Sequence, residues 1–368
     1  MDPIYLDHNA TTPLLPEVLD AVTASLRDHW GNPSSGHVYG RRAKAAMEQA
    51  RYEVAGLIGA APEEIVFTSG GTEASNLAIR GAAALRSGAL VTSAIEHPAT
   101  MRPLERLTDR RVVVLPVDRE GRVAADAPLP EDIALLTVMH ANNEVGTIQP
   151  IAALAARCSG LVHTDAAQSL GKVPVDVTAL GVDLLTIAGH KLYAPKGIGA
   201  LYIRDGLMLP PLLLGAGHER GVRPGTENVA SIVGLGVACR LAGARLTEDA
   251  ARLGALRQRL WGRLSAEIDG LQRASPAEGA LPNTLNVLFP GVSGSAVLTG
   301  APEVAASTGS ACHEHGESPS GVLLAMGLPT EVALGAVRLS LGHGSTEADV
   351  DTAASALTSA WRRLRAER

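Results

Sequence analysis

Lysine is scarce in this chain, and one lysine stands where an amine has chemistry to do. Of 32 Lys and Arg residues, only Lys44, Lys172, Lys191 and Lys196 are lysine. Where charge alone matters the sequence uses Arg, so a retained Lys points to work that a guanidinium cannot do. Lys191 closes Ala188-Gly189-His190-Lys191, a run of small residues directly after an apolar, strand-like segment. Partial desolvation there lowers the amine pKa and favours the neutral nucleophile that condenses with a carbonyl. A solvated loop lysine is the other reading of this position.

Three further clusters could complete such a site. In His163-Thr164-Asp165-Ala166-Ala167-Gln168, the carboxylate follows a strand, at the edge where open α/β sheets bind ligands. It could pair with a pyridinium nitrogen and keep a pyridoxal phosphate ring electron-poor; a helix N-cap is the competing role. Thr68-Ser69-Gly70-Gly71-Thr72-Glu73 is a glycine turn from strand to helix. Its N–H groups and the helix dipole make a phosphate cup, or merely a tight turn. Ser310-Ala311-Cys312-His313-Glu314-His315-Gly316 places a thiol beside imidazoles, as a reactive cysteine needs. An inert buried thiol is the alternative. One Cys and two crowded His lack the separated ligand pairs of zinc motifs, so no metal is expected.

The elements that must position these residues alternate. Strands are expected at Ile65 to Phe67, Ala89 to Ser93, Val112 to Leu115, Ile133 to Met139, Leu161 to His163, Leu184 to Ile187 and Gly199 to Ile203. Helical periodicity covers Arg41 to Ile58, Glu73 to Leu85 and Ile151 to Cys158. This is the pattern of βαβ units and a mainly parallel sheet covered on both faces. The last third changes character. A helical stretch from Val229 to Leu271, broken near Thr247, precedes short strands at Thr284 to Phe289, Val304 to Ser307 and Val337 to Leu339. A final amphipathic helix runs from Glu347 to Leu364.

A chain of 368 residues suggests two domains. We divide it into a large α/β domain over 15–250 and a smaller α+β domain built from 1–14 and 251–368. The net charge of -6, without a long run of one sign, argues against nucleic-acid or membrane-surface partners. No uninterrupted apolar run is expected to span a bilayer. Cys158, Cys239 and Cys312 are too few and scattered for a disulfide framework, which suggests a reducing cytoplasmic setting.

Taken in order, these clusters resemble the cysteine desulfurase and selenocysteine lyase family, pyridoxal-phosphate enzymes of the class V aminotransferase fold. The likeness begins at Tyr5-Leu6-Asp7-His8-Asn9-Ala10-Thr11-Thr12-Pro13 and continues at Gly31-Asn32-Pro33-Ser34-Ser35, Ile65 to Asn76 and Glu96-His97. It takes in Ala141-Asn142-Asn143-Glu144-Val145-Gly146, Asp165 to Gln168, Gly189-His190-Lys191 and Arg223-Pro224-Gly225-Thr226-Glu227-Asn228. It closes with Ser310-Ala311-Cys312 and Val337-Arg338-Leu339-Ser340-Leu341-Gly342.

The resemblance implies a fold type I transferase with a seven-stranded sheet. It also implies roles. Lys191 forms the Schiff base with pyridoxal phosphate and moves the Cα proton. Asp165 pairs with the ring nitrogen, His97 stacks on the ring, Gln168 bonds the phenolic oxygen, and Asn143 lies beside ring and substrate. Gly71, Thr72 and His190 hold the phosphate; Thr226 reaches the partner's phosphate in a homodimer with shared sites. Arg338 clamps the substrate carboxylate, and Cys312 takes sulfur from L-cysteine as a persulfide, leaving L-alanine, before passing it to an acceptor protein. Ala188 stands where desulfurases often have Ser, and Pro98 where they often have Lys. The segment from Thr186 to Lys191 and the loop from Cys312 to Ser320 are closer to selenocysteine lyases, so L-selenocysteine is the alternative substrate. A non-catalytic scaffold for sulfur transfer is the third reading.

Overall fold

The computed structural model describes residues 2–308 and 318–367. The strands are β1 (Ile4–Tyr5), β2 (Ile65–Thr68), β3 (Ala89–Ser93), β4 (Val112–Leu115), β5 (Ile133–Thr137), β6 (Leu161–Asp165), β7 (Leu184–Ala188), β8 (Gly199–Ile203), β9 (Gln272–Arg273), β10 (Thr284–Leu288), β11 (Val304–Ala305) and β12 (Ala336–Ser340). Seven of them form one sheet in the order β2-β8-β7-β6-β5-β3-β4. It is parallel except for β8, which runs antiparallel to both its neighbours, β2 and β7. Its inner strands are buried along their whole length. That explains why they read as unbroken apolar runs instead of alternating ones.

Alternate residues of each strand enter different cores. Phe67, Val91, Leu136 and Ile187 pack with Val54, Ile58 and Leu235 of helices Val38–Ile58 and Val229–Glu267. Val66, Leu90, Leu135 and Leu184 pack with Leu77 and Ile79 of helix Gly71–Leu85. The sheet is therefore a middle layer, and its loops at the carboxyl ends of β6 and β7 stay free to build a site.

A separate core gathers Leu6, Leu253, Leu256, Leu260, Leu285, Val287, Val337, Leu339 and Leu357. It covers the three-stranded antiparallel sheet β12-β10-β9, while β1 pairs in parallel with β11. Helix Val229–Glu267 runs through the expected break at Thr247 without interruption. None of its residues between Cys239 and Leu253 is buried, so Thr247-Glu248-Asp249 is solvated helix where it passes from one core to the other. The boundary drawn at residue 250 thus falls inside one continuous helix.

Among the described residues this helix is long and apolar enough, by length and composition, to cross a membrane, although Arg240 and Arg245 interrupt its apolar run. Its apolar face is used inside the protein, with 44% of that window buried. A Cβ at Gly236 would sit 2.6 Å from Ala50 Cα, so the contact with helix Val38–Ile58 is close.

One buried ion pair fixes the start of β2. Glu219 accepts from Arg51 at 2.7 and 2.8 Å and from the Phe67 N–H at 2.7 Å, with both charged side chains almost fully buried. Those bonds hold Glu219 at φ +45°, a conformation an L residue adopts at a cost. Glu219→Ala removes the buried partner of Arg51, leaving it the half-exposed Glu48 at 3.0 Å, and is expected to destabilise the fold by about 3 kcal/mol. Chemical denaturation checks this; a loss below about 1 kcal/mol would show that the pair does not anchor the strand.

Candidate active site

The sheet's carboxyl edge opens into a cavity of about 570 Å³. Gly71, Thr72, His97, Asn143, Asp165, Gln168, His190, Lys191 and Arg338 all line it. These residues come from six separate stretches of chain, and the fold brings them together. Thr226 is not among them. It is exposed, in a neighbouring depression with Ser69 and Glu227. Cys312 lies outside the described residues. The cavity wall does include Ser307, on the chain leading toward it.

Lys191 ends a short 3-10 turn, Gly189–Lys191, that follows β7 directly. Its Nζ donates to the carbonyls of Asn9 and Ala10 at 2.5 and 2.7 Å. No carboxylate pairs with it among the described residues. Burial, assisted by the Arg338 charge, lowers its pKa to about 8, against the pull of Asp165 and Asp7. The amine is therefore neutral far more often at pH 7 than a solvated lysine. Reductive methylation of Lys191, followed by mass spectrometry, is expected to rise with pH to a midpoint near 8, because only the neutral amine reacts. A midpoint at the ordinary lysine value would contradict the burial argument.

Asp165 is the last residue of β6, which runs two residues past the end expected at His163. Its Oδ1 accepts the Ala167 N–H at 2.9 Å, so the N-cap-like bond exists, but it uses one oxygen. Burial pushes the carboxyl pKa up, partly offset by that bond and by His97 and Lys191. A cation lodged against the free oxygen would compensate for the burial. His97 caps helix Pro98–Arg106, its Nδ1 accepting from the Ala99 N–H at 3.1 Å. Burial holds its pKa down, which leaves an uncharged ring facing the cavity.

The glycine turn is built for an anion. Gly70 has φ +149°, which a side chain disfavours, and its Cα lies 2.7 Å from where a Cβ on Gly199 would stand. Glu73 takes the Ser69 N–H at 2.6 Å and is itself held by Arg223 at 2.9 Å. The N–H groups of the helix's first turn, starting at Gly71, have no intrahelical acceptor. His190 stands opposite, with Nδ1 3.1 Å from the Thr11 hydroxyl. Burial and the nearby Lys191 and Lys196 lower its pKa to about 4, so it is neutral and can still offer one N–H.

Arg338 lies on β12 and is buried. Nη2 donates to Asp7 Oδ1 at 2.7 Å and Nη1 to the Asn143 carbonyl at 3.2 Å. A guanidinium has five N–H groups, so these contacts brace it without consuming it. Glu144, next to Asn143, accepts from the Ser320 hydroxyl, which ties this wall to the chain just beyond residue 317.

Asp7, Asn9 and Ala10 form the part of the site that sequence reasoning left without roles. Asn9 is fully buried; its carbonyl accepts from both Lys191 and Gln168, and its side chain reaches Thr284 and Asn143. The only signal was the match of Tyr5 to Pro13 to a family motif.

Comparison with known proteins agrees with this geometry. The family model described as aminotransferase class-V matches residues 4–352. A protein named cysteine desulfurase IscS from Dictyoglomus turgidum is 43% identical over 362 residues, covering 95% of this chain and 92% of that protein. A solved structure described as a NifS-like protein superposes with a TM-score of 0.90 at 36% identity, over 99% of both chains. A second, described as SspA in complex with cysteine, gives a TM-score of 0.81 at 37% identity, over 92% of this chain and 98% of the other. In sequence, in fold and in the residues that meet at its sheet edge, the chain belongs to the class-V aminotransferase family.

Proposed function

We propose that the protein is a pyridoxal-phosphate-dependent cysteine desulfurase. The observation that carries this reading is the convergence of a half-buried amine with no carboxylate partner among the described residues, a buried acid with a free oxygen, and an anion cup around one cavity. Those three features fit the aldehyde, the ring nitrogen and the phosphate of the cofactor. Bound there, pyridoxal phosphate supplies a carbonyl for the substrate amine and a ring that draws electron density from Cα.

The chain's own residues do the rest. Lys191 would hold the aldehyde of the bound cofactor, and its amine would move the proton at the substrate Cα. Asp165 keeps the ring nitrogen protonated, His97 covers the ring, and Gln168 offers an N–H to the phenolic oxygen. Gly71, Thr72 and His190 take the phosphate. Arg338 binds the substrate carboxylate through its remaining N–H groups, beside Asn143. The Cys312 thiolate attacks the substrate sulfur, and the C–S bond breaks with its electron pair going to carbon. Protonation of that carbon gives L-alanine, and Cys312 keeps the sulfur as a persulfide. Thr226, exposed and apart from this cavity, serves the phosphate in a partner subunit of a homodimer. The persulfide then passes to an acceptor protein in the cytoplasm, a setting consistent with the free thiols Cys158 and Cys239.

L-Selenocysteine is the second reading, favoured by Ala188 in the cavity wall in place of a hydroxyl donor. A paired assay of alanine release separates the two. Turnover on L-cysteine at a rate comparable to that on L-selenocysteine is expected; a strong preference for L-selenocysteine would make the protein a lyase for selenium.

A further inference from the structure

The cavity floor hides a second lysine that the mechanism above does not use. Lys172 is buried, and its Nζ lies 3.1 Å from Gln168 Oε1 and 3.3 Å from Asn9 Oδ1. No carboxylate pairs with it among the described residues. Burial, with the Lys191 and Arg338 charges adding to it, lowers its pKa to about 7. An amine is costly to keep in such a place, and an apolar side chain of the same length would avoid the cost.

We infer that Lys172 is a positioning residue that decides which end of the Gln168 amide faces the cofactor. An amide presents an oxygen on one side and two N–H groups on the other. With Lys172 donating to Oε1, Nε2 must turn toward the cavity. There it donates one hydrogen to the Asn9 carbonyl at 2.9 Å and has a second to give. A flipped amide would set its oxygen against the Asn9 carbonyl, acceptor against acceptor, and would offer the cofactor's phenolic oxygen no donor.

The same ammonium orients Asn9. Its Oδ1 accepts from Lys172 and from Asn283 Nδ2 at 3.1 Å. Nδ2 is then left to donate to Thr284 Oγ1 at 2.8 Å and to the Asn143 carbonyl at 3.2 Å. Lys172 thus sets the Gln168 amide and, together with Asn283, the Asn9 amide, whose residue also supplies the carbonyl that receives Lys191.

The inference rests on the proposed contact of Gln168 with pyridoxal phosphate, and the test separates the two. Cofactor affinity and the visible absorption band of the bound cofactor are measured for wild type, Lys172→Met, Gln168→Met and the double variant. Gln168→Met is expected to weaken affinity about tenfold and displace the band, because one hydrogen bond to a charged oxygen is lost. Lys172→Met should do the same, and the double variant should be no worse than Gln168→Met alone, because the two residues act as one unit. Lys172→Gln, which keeps an N–H and guards against a variant that fails to fold, should return the band toward its wild-type position. If Gln168→Met displaces the band while Lys172→Met leaves it in place, or if the two losses multiply, Lys172 does not act through Gln168. If Gln168→Met itself changes nothing, the phenolic contact is wrong and the inference falls with it. The melting temperature of the cofactor-free protein reports a merely structural role, which would move without any change in the band.

Discussion

Lys191→Ala is expected to lower alanine release from L-cysteine by about 10³–10⁴-fold or more, since on the proposed mechanism it removes both the amine that would fasten the cofactor and the group that would move the Cα proton. Among the described residues, neither of the nearest amine and imidazole groups replaces it. Lys172 is occupied by Gln168 and Asn9. His190, neutral and half-buried, faces the phosphate cup and bonds Thr11. The phosphate cup, Asp165 and His97 do not depend on the missing amine, so the variant should still take up cofactor, held without a covalent bond. Single-turnover measurement of alanine, with wild type alongside, checks the loss. A rate within about tenfold of wild type would mean that another base moves the proton.

Cys312→Ala is expected to abolish turnover while leaving the cofactor's visible absorption unchanged. The two effects separate because of what the cavity contains. The groups that would hold the cofactor sit on the β6 and β7 edge, at the start of helix Gly71–Leu85 and, for His97, at the start of helix Pro98–Arg106, all well away in sequence from residue 312. Sulfur leaves the substrate only if a nucleophile accepts it, and neither other thiol can stand in. Cys239 is fully buried in the first core, where burial pushes its thiol pKa up. Cys158 is raised in the same way and lies beyond helix Ile151–Ala155, outside the cavity. A loss of about 10⁴-fold is the expected scale for removing an essential nucleophile. Sulfide release at the wild-type rate would show that no persulfide forms on Cys312.

The central sheet was legible because burial on both faces writes β-branched and aliphatic runs into the sequence. Strands Ala89–Ser93 and Gly199–Ile203, buried along their whole length, fall where those runs do. Helices Pro16–Asp28 and Pro98–Arg106 were not foreseen. The second carries Pro103 inside it and has four buried residues, Ala99, Thr100, Pro103 and Leu104, too few and too mixed to show a stripe. The false break at Thr247 has a similar cause, since a solvated stretch of helix between two cores has the composition of a loop.

For the site, nine expected residues meet at one cavity; Gly71, Thr72, Asp165, His190 and Lys191 sit at strand ends or helix starts that local pattern reveals, whereas Asn143, in a turn, and Arg338, in the middle of β12, were reached only through the family resemblance. Asp7, Asn9 and Lys172 were missed because their work is done across long sequence separations. Asn9 meets Lys191 and Thr284, and Asp7 meets Arg338, with no periodicity to announce it. The scarcity of lysine pointed to chemistry at Lys191, and it applied equally to Lys172, whose burial no local pattern could show.

Borohydride reduction of the protein after incubation with pyridoxal phosphate, followed by peptide mass spectrometry, tests the central claim most directly. The account predicts a pyridoxyl phosphate adduct on Lys191 alone. An adduct on Lys44, Lys172 or Lys196, or none on any lysine, would contradict it.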